Sequence, residues 1–147
     1  MSIAIEQALN TAILDEGLEL DIVFDNGIYS THDGFQYEHS RGVYTPSAER
    51  GFLEAKVFPA DVSPQSLADS DVHLGLFQVI VKYPNDSGLF AAKEKAQAVL
   101  AMFSIGSSIT YDAQKVYIDS KRIDGGRSEG GFYQIVVRFN YRAFVTR

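Results

Sequence analysis

The hydrophobic pattern is clearest between residues 74 and 103, where a period of two gives way to a helical period. Apolar side chains first occupy alternate positions, which predicts a half-buried strand: Phe77, Val79, Val81 and Tyr83. Pro84 has no backbone N–H to donate, so the strand should end there. From Leu89 to Phe103 apolar residues recur at steps of three and four, which predicts a helix capped by Asp86 or Ser87.

Similar patterns place the other elements. A stripe of apolar residues predicts a helix over residues 2–15, and alternation predicts a strand over 18–24. A strand over residues 52–58 should stop at Pro59, and residues 60–73 read as a polar connector with a turn of helix near 65–68. The remaining predicted strands are 107–111, 115–119 and 132–143.

Two segments lack a regular pattern. Residues 28–51 mix aromatic residues with turn formers and predict a long irregular loop. Residues 121–131 hold four glycines among charged residues, which predicts a mobile hairpin loop. The predicted order is therefore α-β-β-β-α-β-β-β. This order indicates an α+β fold, with a mixed or antiparallel sheet and both helices packed on one face.

Length and composition fit one globular domain over residues 1–147. The formal net charge of −6 argues against nonspecific binding to a nucleic-acid backbone. The absence of cysteine excludes disulfide and thiolate chemistry. The apolar stretch near the amino terminus is too short and too polar for a membrane span, so we expect a soluble cytoplasmic protein.

Candidate chemistry is sparse. His32 and His39 with Asp33 or Glu38 would supply metal ligands, but their spacing matches no known metal motif and surface histidines are favoured. The glycines of residues 125–131 lack the Gly-Lys-Ser/Thr ending of a phosphate loop and lie between strands. No catalytic constellation is found, so the sequence predicts neither an enzyme nor a bound metal or cofactor.

Several short cues recur together in one order. They are Ala8-Leu9 in the first helix, Phe24-Asp25-Asn26 after a strand, Tyr44-Thr45-Pro46, the run His73-Leu74-Gly75-Leu76-Phe77-Gln78-Val79-Ile80-Val81-Lys82-Tyr83-Pro84, Phe103-Ser104-Ile105-Gly106, and the long last strand. With these cues the chain resembles the tail terminator (minor tail protein U-like, tail completion) family of long-tailed phages. Residues 28–43 are longer than the family pattern suggests.

The resemblance implies a non-enzymatic virion protein: a ring-forming α+β subunit whose hexameric ring caps the tail tube, ends tube polymerisation and gives the head-side connector a docking surface. The implied partners are other copies of the chain, the tail tube protein and the connector or head completion protein. DNA would pass through the ring without specific binding. The implied location is the head-proximal end of the tail, after assembly in the host cytoplasm.

As a hypothesis, the two irregular segments make the contacts to neighbouring subunits, tube or connector. The candidate contact residues are Tyr29, Tyr37, Tyr44, Arg122, Arg127 and Glu129. For residues 121–131 a plain solvated loop is an equal alternative. Two other functions stay open: a head-completion or connector ring, and a small ligand-binding or hydrolytic domain with Tyr29, His32, Tyr37 and His39 in one pocket.

Overall fold

Two helices and eight strands make up the part of the chain that the computed structural model describes, residues 3–25, 27–33, 36–47, 50–64, 70–85 and 89–146. In chain order these elements are α1 (Ile3–Asp15), β1 (Asp21–Val23), β2 (Ile28–His32), β3 (Tyr37–Arg41), β4 (Phe52–Pro64), β5 (Ser70–Pro84), α2 (Leu89–Ala101), β6 (Ser108–Tyr111), β7 (Gln114–Glu129) and β8 (Phe132–Thr146).

All eight strands belong to one sheet with the order β3-β2-β1-β4-β5-β8-β7-β6. The β1–β4 pair is parallel and the other neighbours are antiparallel, so the sheet is mixed. A mixed sheet with two helices confirms the α+β prediction. Neither helix in the described ranges has the length and apolar character needed to cross a membrane.

One face of the four long strands carries the hydrophobic core. Its buried side chains alternate along each strand, and both helices add their own buried residues to the same cluster: Leu53, Ala55 and Val57; Phe77, Val79 and Val81; Ile135, Val137, Phe139 and Tyr141; Val116 and Ile118; Ile5, Leu9 and Ile13; Ala92, Ala96 and Val99. The rings of Phe77, Phe103 and Phe139 meet where α2 ends, with centroids 5.0–6.4 Å apart. We call this the helix-covered face.

The opposite face of the sheet, which we call the open face, has no helix packed on it in the described structure. Because side chains alternate along a strand, it is formed by the residues between the buried ones. Its central members are Glu54, Lys56 and Phe58 on β4; Leu76, Gln78, Ile80 and Lys82 on β5; Val136, Arg138, Asn140 and Arg142 on β8; and Arg122 and Asp124 on β7.

Two boundary predictions near prolines had different outcomes. β5 ends at Pro84, as predicted. β4 does not stop at Pro59 but continues to Pro64, with a register shift against β5 between Pro59 and Val62. A bulge tolerates a residue that cannot donate to the ladder, so the proline bends the strand without ending it. The helical turn predicted near residues 65–68 and the capping residues Asp86 and Ser87 lie outside the described residues.

The loop predictions for residues 28–51 and 121–131 were wrong in large part. The first segment contains the β2–β3 hairpin, and in the second β7 continues to Glu129. Only Gly130 and Gly131 form the turn into β8, both with positive φ, as a two-residue hairpin requires. The other two glycines lie within β7, at a register shift against β8 between Asp124 and Arg127.

The strand predicted over residues 18–24 is shorter than its apolar pattern, since β1 covers only Asp21–Val23. Leu18 and Leu20 are buried as predicted, but Glu19 between them has a φ of 62°. A left-handed residue breaks the extended backbone, so these leucines enter the core from a bend.

Candidate functional site

Two of the predicted contact residues, Tyr29 and Tyr44, meet in an aromatic cluster at one end of the open face. Their ring centroids lie 5.3 Å apart. Tyr44 also contacts Phe52 at 5.1 Å, and Phe52 packs edge-on against Phe132 of β8 at 5.5 Å. Lys82 lies over the Phe52 ring at 5.8 Å from its centroid. The cluster therefore ties the chain after β3 to the central strands.

A carboxylate fixes the position of Tyr44. The Tyr44 hydroxyl donates to Asp21 Oδ2 at 2.6 Å, and the backbone N–H of His32 donates to Asp21 Oδ1 at 2.9 Å. Burial raises the pKa of Tyr44 well above its usual value, and the bond to Asp21 and its negative charge add to this. The hydroxyl thus stays protonated and keeps donating at neutral pH.

Arg50 fastens the other end of the same segment. Its guanidinium donates to the carbonyl oxygens of His32 at 3.1 Å and Glu19 at 2.9 Å. With Tyr44 bound to Asp21, these contacts hold the connection between β3 and β4 against β1 and β2. Tyr44 and Arg50 therefore have a structural role, which no local sequence motif revealed because the partners are 18 to 31 residues apart.

Tyr37 lies on the other side of the hairpin. Its ring packs edge-on against His32 at 4.8 Å and contacts the core, while Ser30 Oγ and His39 Nδ1 lie 2.7 Å apart. Tyr29 points to the open face, because strand register alternates. The pocket of Tyr29, His32, Tyr37 and His39 considered above is therefore not formed. No group of three or more potential metal ligands occurs in the described ranges.

The three charged candidates lie on β7 and not in a loop. Arg127 and Glu129 form an ion pair at 2.9 Å, and Arg122 pairs with Asp124 at 3.2 Å. All three side chains are largely exposed, with 61–72% of their surface accessible. The structure thus brings Arg122, Arg127 and Glu129 together on one strand, at the opposite end of the sheet from Tyr37.

Charged pairs extend across the whole open face, and sequence reasoning missed most of them. Arg138 contacts Asp124 at 2.5 Å and donates to Gln78 at 3.3 Å, so Asp124 lies between two guanidinium groups. The other ion pairs join Lys82 to Glu54, Lys56 to Asp25 and Arg142 to Asp119. Because these pairs depend on cross-strand register, only the strand alternation gave any signal for them.

A shallow depression of about 690 Å³ lies in the middle of the open face. It is lined by apolar and charged side chains, among them Phe58, Leu76, Gln78, Arg122, Arg138 and Asn140. Beyond its rim the large side chains of Leu74 and Phe144 are also more than a third exposed. The Arg142 guanidinium lies over the rings of Tyr117 and Phe144, 5.5 and 6.0 Å from their centroids. Exposed apolar groups with a charged rim are typical of a protein interaction surface.

Comparisons with known proteins agree with this picture. A family model described as phage tail terminator protein matches residues 34–141. One solved structure superimposes with a TM-score of 0.70 at 19% sequence identity, covering 95% of this chain and 93% of that chain. At this identity the likeness shows the shared fold. No protein in a search of curated sequences gives a significant match.

Proposed function

Because the chain belongs to the phage tail terminator family, we propose that it forms a hexameric ring that caps the tail tube, ends tube polymerisation and provides the surface on which the head-side connector docks. Membership of the family makes the protein a structural component of a phage tail. The observation that carries the proposal is the family match, which extends from β3 into β8 and so includes the central strands of the open face.

The open face supports an assembly role. A sheet that has helices on one side and exposed apolar side chains on the other offers a broad surface for a protein partner, and Phe58, Leu74 and Phe144 supply such groups. A closed ring of identical subunits needs two different patches on each subunit. The aromatic hairpin end and the charged β7–β8 end are two such chemically different regions.

The proposed partners are other copies of this chain, the tail tube protein and the connector or head completion protein. DNA passes through the ring without specific binding, which the net charge of −6 favours through like-charge repulsion. The proposed location is the head-proximal end of the tail in the virion, after assembly in the host cytoplasm.

The test is polymerisation of purified tail tube protein with and without this chain, followed by electron microscopy of the tubes. The proposal expects a six-fold ring at one tube end and shorter tubes as the ratio of this chain to tube protein rises. Light scattering of the chain alone gives its mass before it meets the tube. Tubes of unchanged length with bare ends would refute the proposal.

The same preparation separates the terminator from a head-completion ring. Purified tails and DNA-filled heads are each mixed with the chain, and bound protein is recovered by sedimentation. A terminator binds tube ends in the absence of heads. Binding to heads alone would assign the chain to the head side of the joint and overturn the terminator proposal.

A further inference from the structure

Charge is distributed unevenly along this chain. The first 40 residues contain eight acidic residues and neither lysine nor arginine. Residues 114–146, which contain β7 and β8, hold six basic and three acidic residues. The net charge of −6 therefore conceals an acidic amino-terminal part and a basic carboxyl-terminal part.

The sheet topology separates these two parts in space. β1, β2 and β3 form one end of the sheet, while β8, β7 and β6 form the other. On the open face of the first three strands, and beside them, lie Asp21, Asp25 and Glu38. Lys56 of β4 pairs with Asp25, whereas Arg41, which is opposite Ile28 in the register, lies on the other face of the hairpin. We call Asp25, Glu38 and the adjoining β2–β3 hairpin the acidic end.

The other end of the open face has the opposite sign. Arg122, Arg127, Arg138 and Arg142 outnumber their acidic partners in the described strands, because Asp124 serves both Arg122 and Arg138. These two guanidinium groups line the central depression, where one carboxylate leaves a positive charge uncompensated. We call this part of β7 and β8, with the depression, the basic end.

Each end also presents exposed apolar groups. At the acidic end Val43 is 92% exposed, while Ile28, which is 43% exposed, lies on the other face of the same hairpin. At the basic end Phe58, Leu74 and Phe144 are 37–39% exposed. Each end thus combines apolar area with an excess of one sign of charge, which is the composition of a protein interface and not of a plain solvated surface.

We propose that the acidic end of one subunit docks on the basic end of the next, with Val43 and its neighbours over the central depression and a carboxylate of the hairpin against Arg122 and Arg138. A contact between two copies of the same end would oppose like charges, whereas the head-to-tail contact opposes unlike ones. A head-to-tail contact repeats and closes into a ring when its rotation permits. This inference rests on the proposed ring and specifies which surfaces hold it together.

Because the chain has no cysteine, single engineered thiols report contacts without background. Val43→Cys lies at the acidic end, and Ser120→Cys lines the depression and changes little volume. The chain, free and on tail tubes, is treated with a short bifunctional maleimide. Mixing the two single variants should give a cross-linked dimer, and the double variant should give a ladder that ends at the ring size.

Ile105→Cys is the matched control, since this residue is also apolar and exposed but lies outside both ends. Mixed with Ser120→Cys, it should give at least tenfold less dimer than Val43→Cys gives. Equal cross-linking of the control, or Val43→Cys cross-linking mainly to itself, would overturn the head-to-tail contact.

Charge reversal gives a second and independent test. Glu38→Lys at the acidic end and Arg122→Glu at the basic end should each weaken self-association at least tenfold, while the exposed Glu16→Lys outside both ends should not. A mixture of the two defective variants should associate again, because each retains one intact end and the two reversed ends also carry opposite charges. Failure of the mixture to associate, with wild-type rings intact, would refute the contact.

These readouts distinguish the inference from the function on which it rests. If wild-type protein caps tubes with a ring but Val43→Cys and Ser120→Cys do not cross-link there, the proposed ring is supported and the assigned contact surfaces are refuted. If wild-type protein neither forms a ring nor shortens tubes, the proposed function itself falls, and the inference falls with it.

Discussion

Replacement of Gly75 by alanine tests the packing of Tyr141 in the core. Gly75 is buried on β5 and pairs across the sheet with Tyr141 of β8. A Cβ at residue 75 would overlap the Tyr141 ring, lying 2.6 Å from its Cε2 and closer still to the hydroxyl oxygen. The missing side chain is therefore what allows the tyrosine ring to lie across the strand.

The expected loss of stability in Gly75→Ala depends on how tightly Tyr141 is packed. Only 1% of this residue is exposed, and Glu6 of α1 lies near enough to raise its pKa further after the dominant effect of burial. Overpacking a core of this kind costs about 3 kcal/mol at the upper end. Alanine also lowers the conformational entropy of the unfolded chain, which offsets up to about 1 kcal/mol of this destabilisation. We expect Gly75→Ala to lower the free energy of unfolding by about 2 kcal/mol, or the melting temperature by roughly 4–8 °C.

Urea unfolding followed by far-ultraviolet circular dichroism measures this change, with Gly125→Ala as the matched control. A Cβ at Gly125 meets no atom within 4 Å, so the control should unfold within about 0.5 kcal/mol of the wild type. Tyr141→Phe removes the atom nearest to the new Cβ, so Gly75→Ala should cost less in that background. An equal cost in both backgrounds, or no cost in either, would refute the steric argument.

Tyr44→Phe removes the 2.6 Å bond to Asp21 and should cost about 1–2 kcal/mol in urea unfolding at pH 7. Because the folded-state pKa of Tyr44 is raised above 10.0, this tyrosine's contribution is present below that pH and is lost as pH rises further, so Tyr44→Phe should flatten the decline of stability in alkali. Lys121→Met removes two bonds to the carbonyl oxygens of Leu100 and Phe103, and amide exchange should speed up at the end of α2 without global unfolding. Phe103→Ala opens a cavity beside the rings of Phe77 and Phe139 and should cost about 3–5 kcal/mol in urea unfolding, whereas a cost under about 1 kcal/mol would show that the helix collapses to fill it.

The elements that the sequence predicted well are those with one buried face. Phe77, Val79 and Val81 are buried at every second position because the helices cover only one side of β5, and a period of two reflects this one-sided burial. The stripe of α2 is readable for the same reason, with Ala92, Ala96 and Val99 against the sheet. Burial on one face produces a periodic pattern of apolar residues within a short stretch of sequence, so such elements can be predicted without knowledge of their partners.

The elements that were mispredicted depend on partners far away in the chain. Glycine-rich residues 121–131 have the composition of a loop, but β8 pairs with them and the Tyr133 ring lies over Gly126, which leaves no space for a side chain there. A glycine can make a loop flexible, or it can leave space in a strand for the side chain of a neighbouring strand. Amino-acid composition alone does not distinguish these two roles. Likewise, Asp21 and Tyr44 are 23 residues apart, and only the folded hairpin brings them together.

The six ion pairs of the described residues distinguish the source of folding stability from the surface that we propose for assembly. Each pair has at least one partner on the open face, and none lies between the helices and the sheet. Ion pairs as accessible as Arg127–Glu129 contribute between nothing and about 1 kcal/mol to folding. The core on the helix-covered face therefore supplies the stability, while in the proposed ring the charges of the open face determine which surface of a neighbouring subunit fits. Reversal of a charge at either end of that face should leave the subunit folded and change only its association.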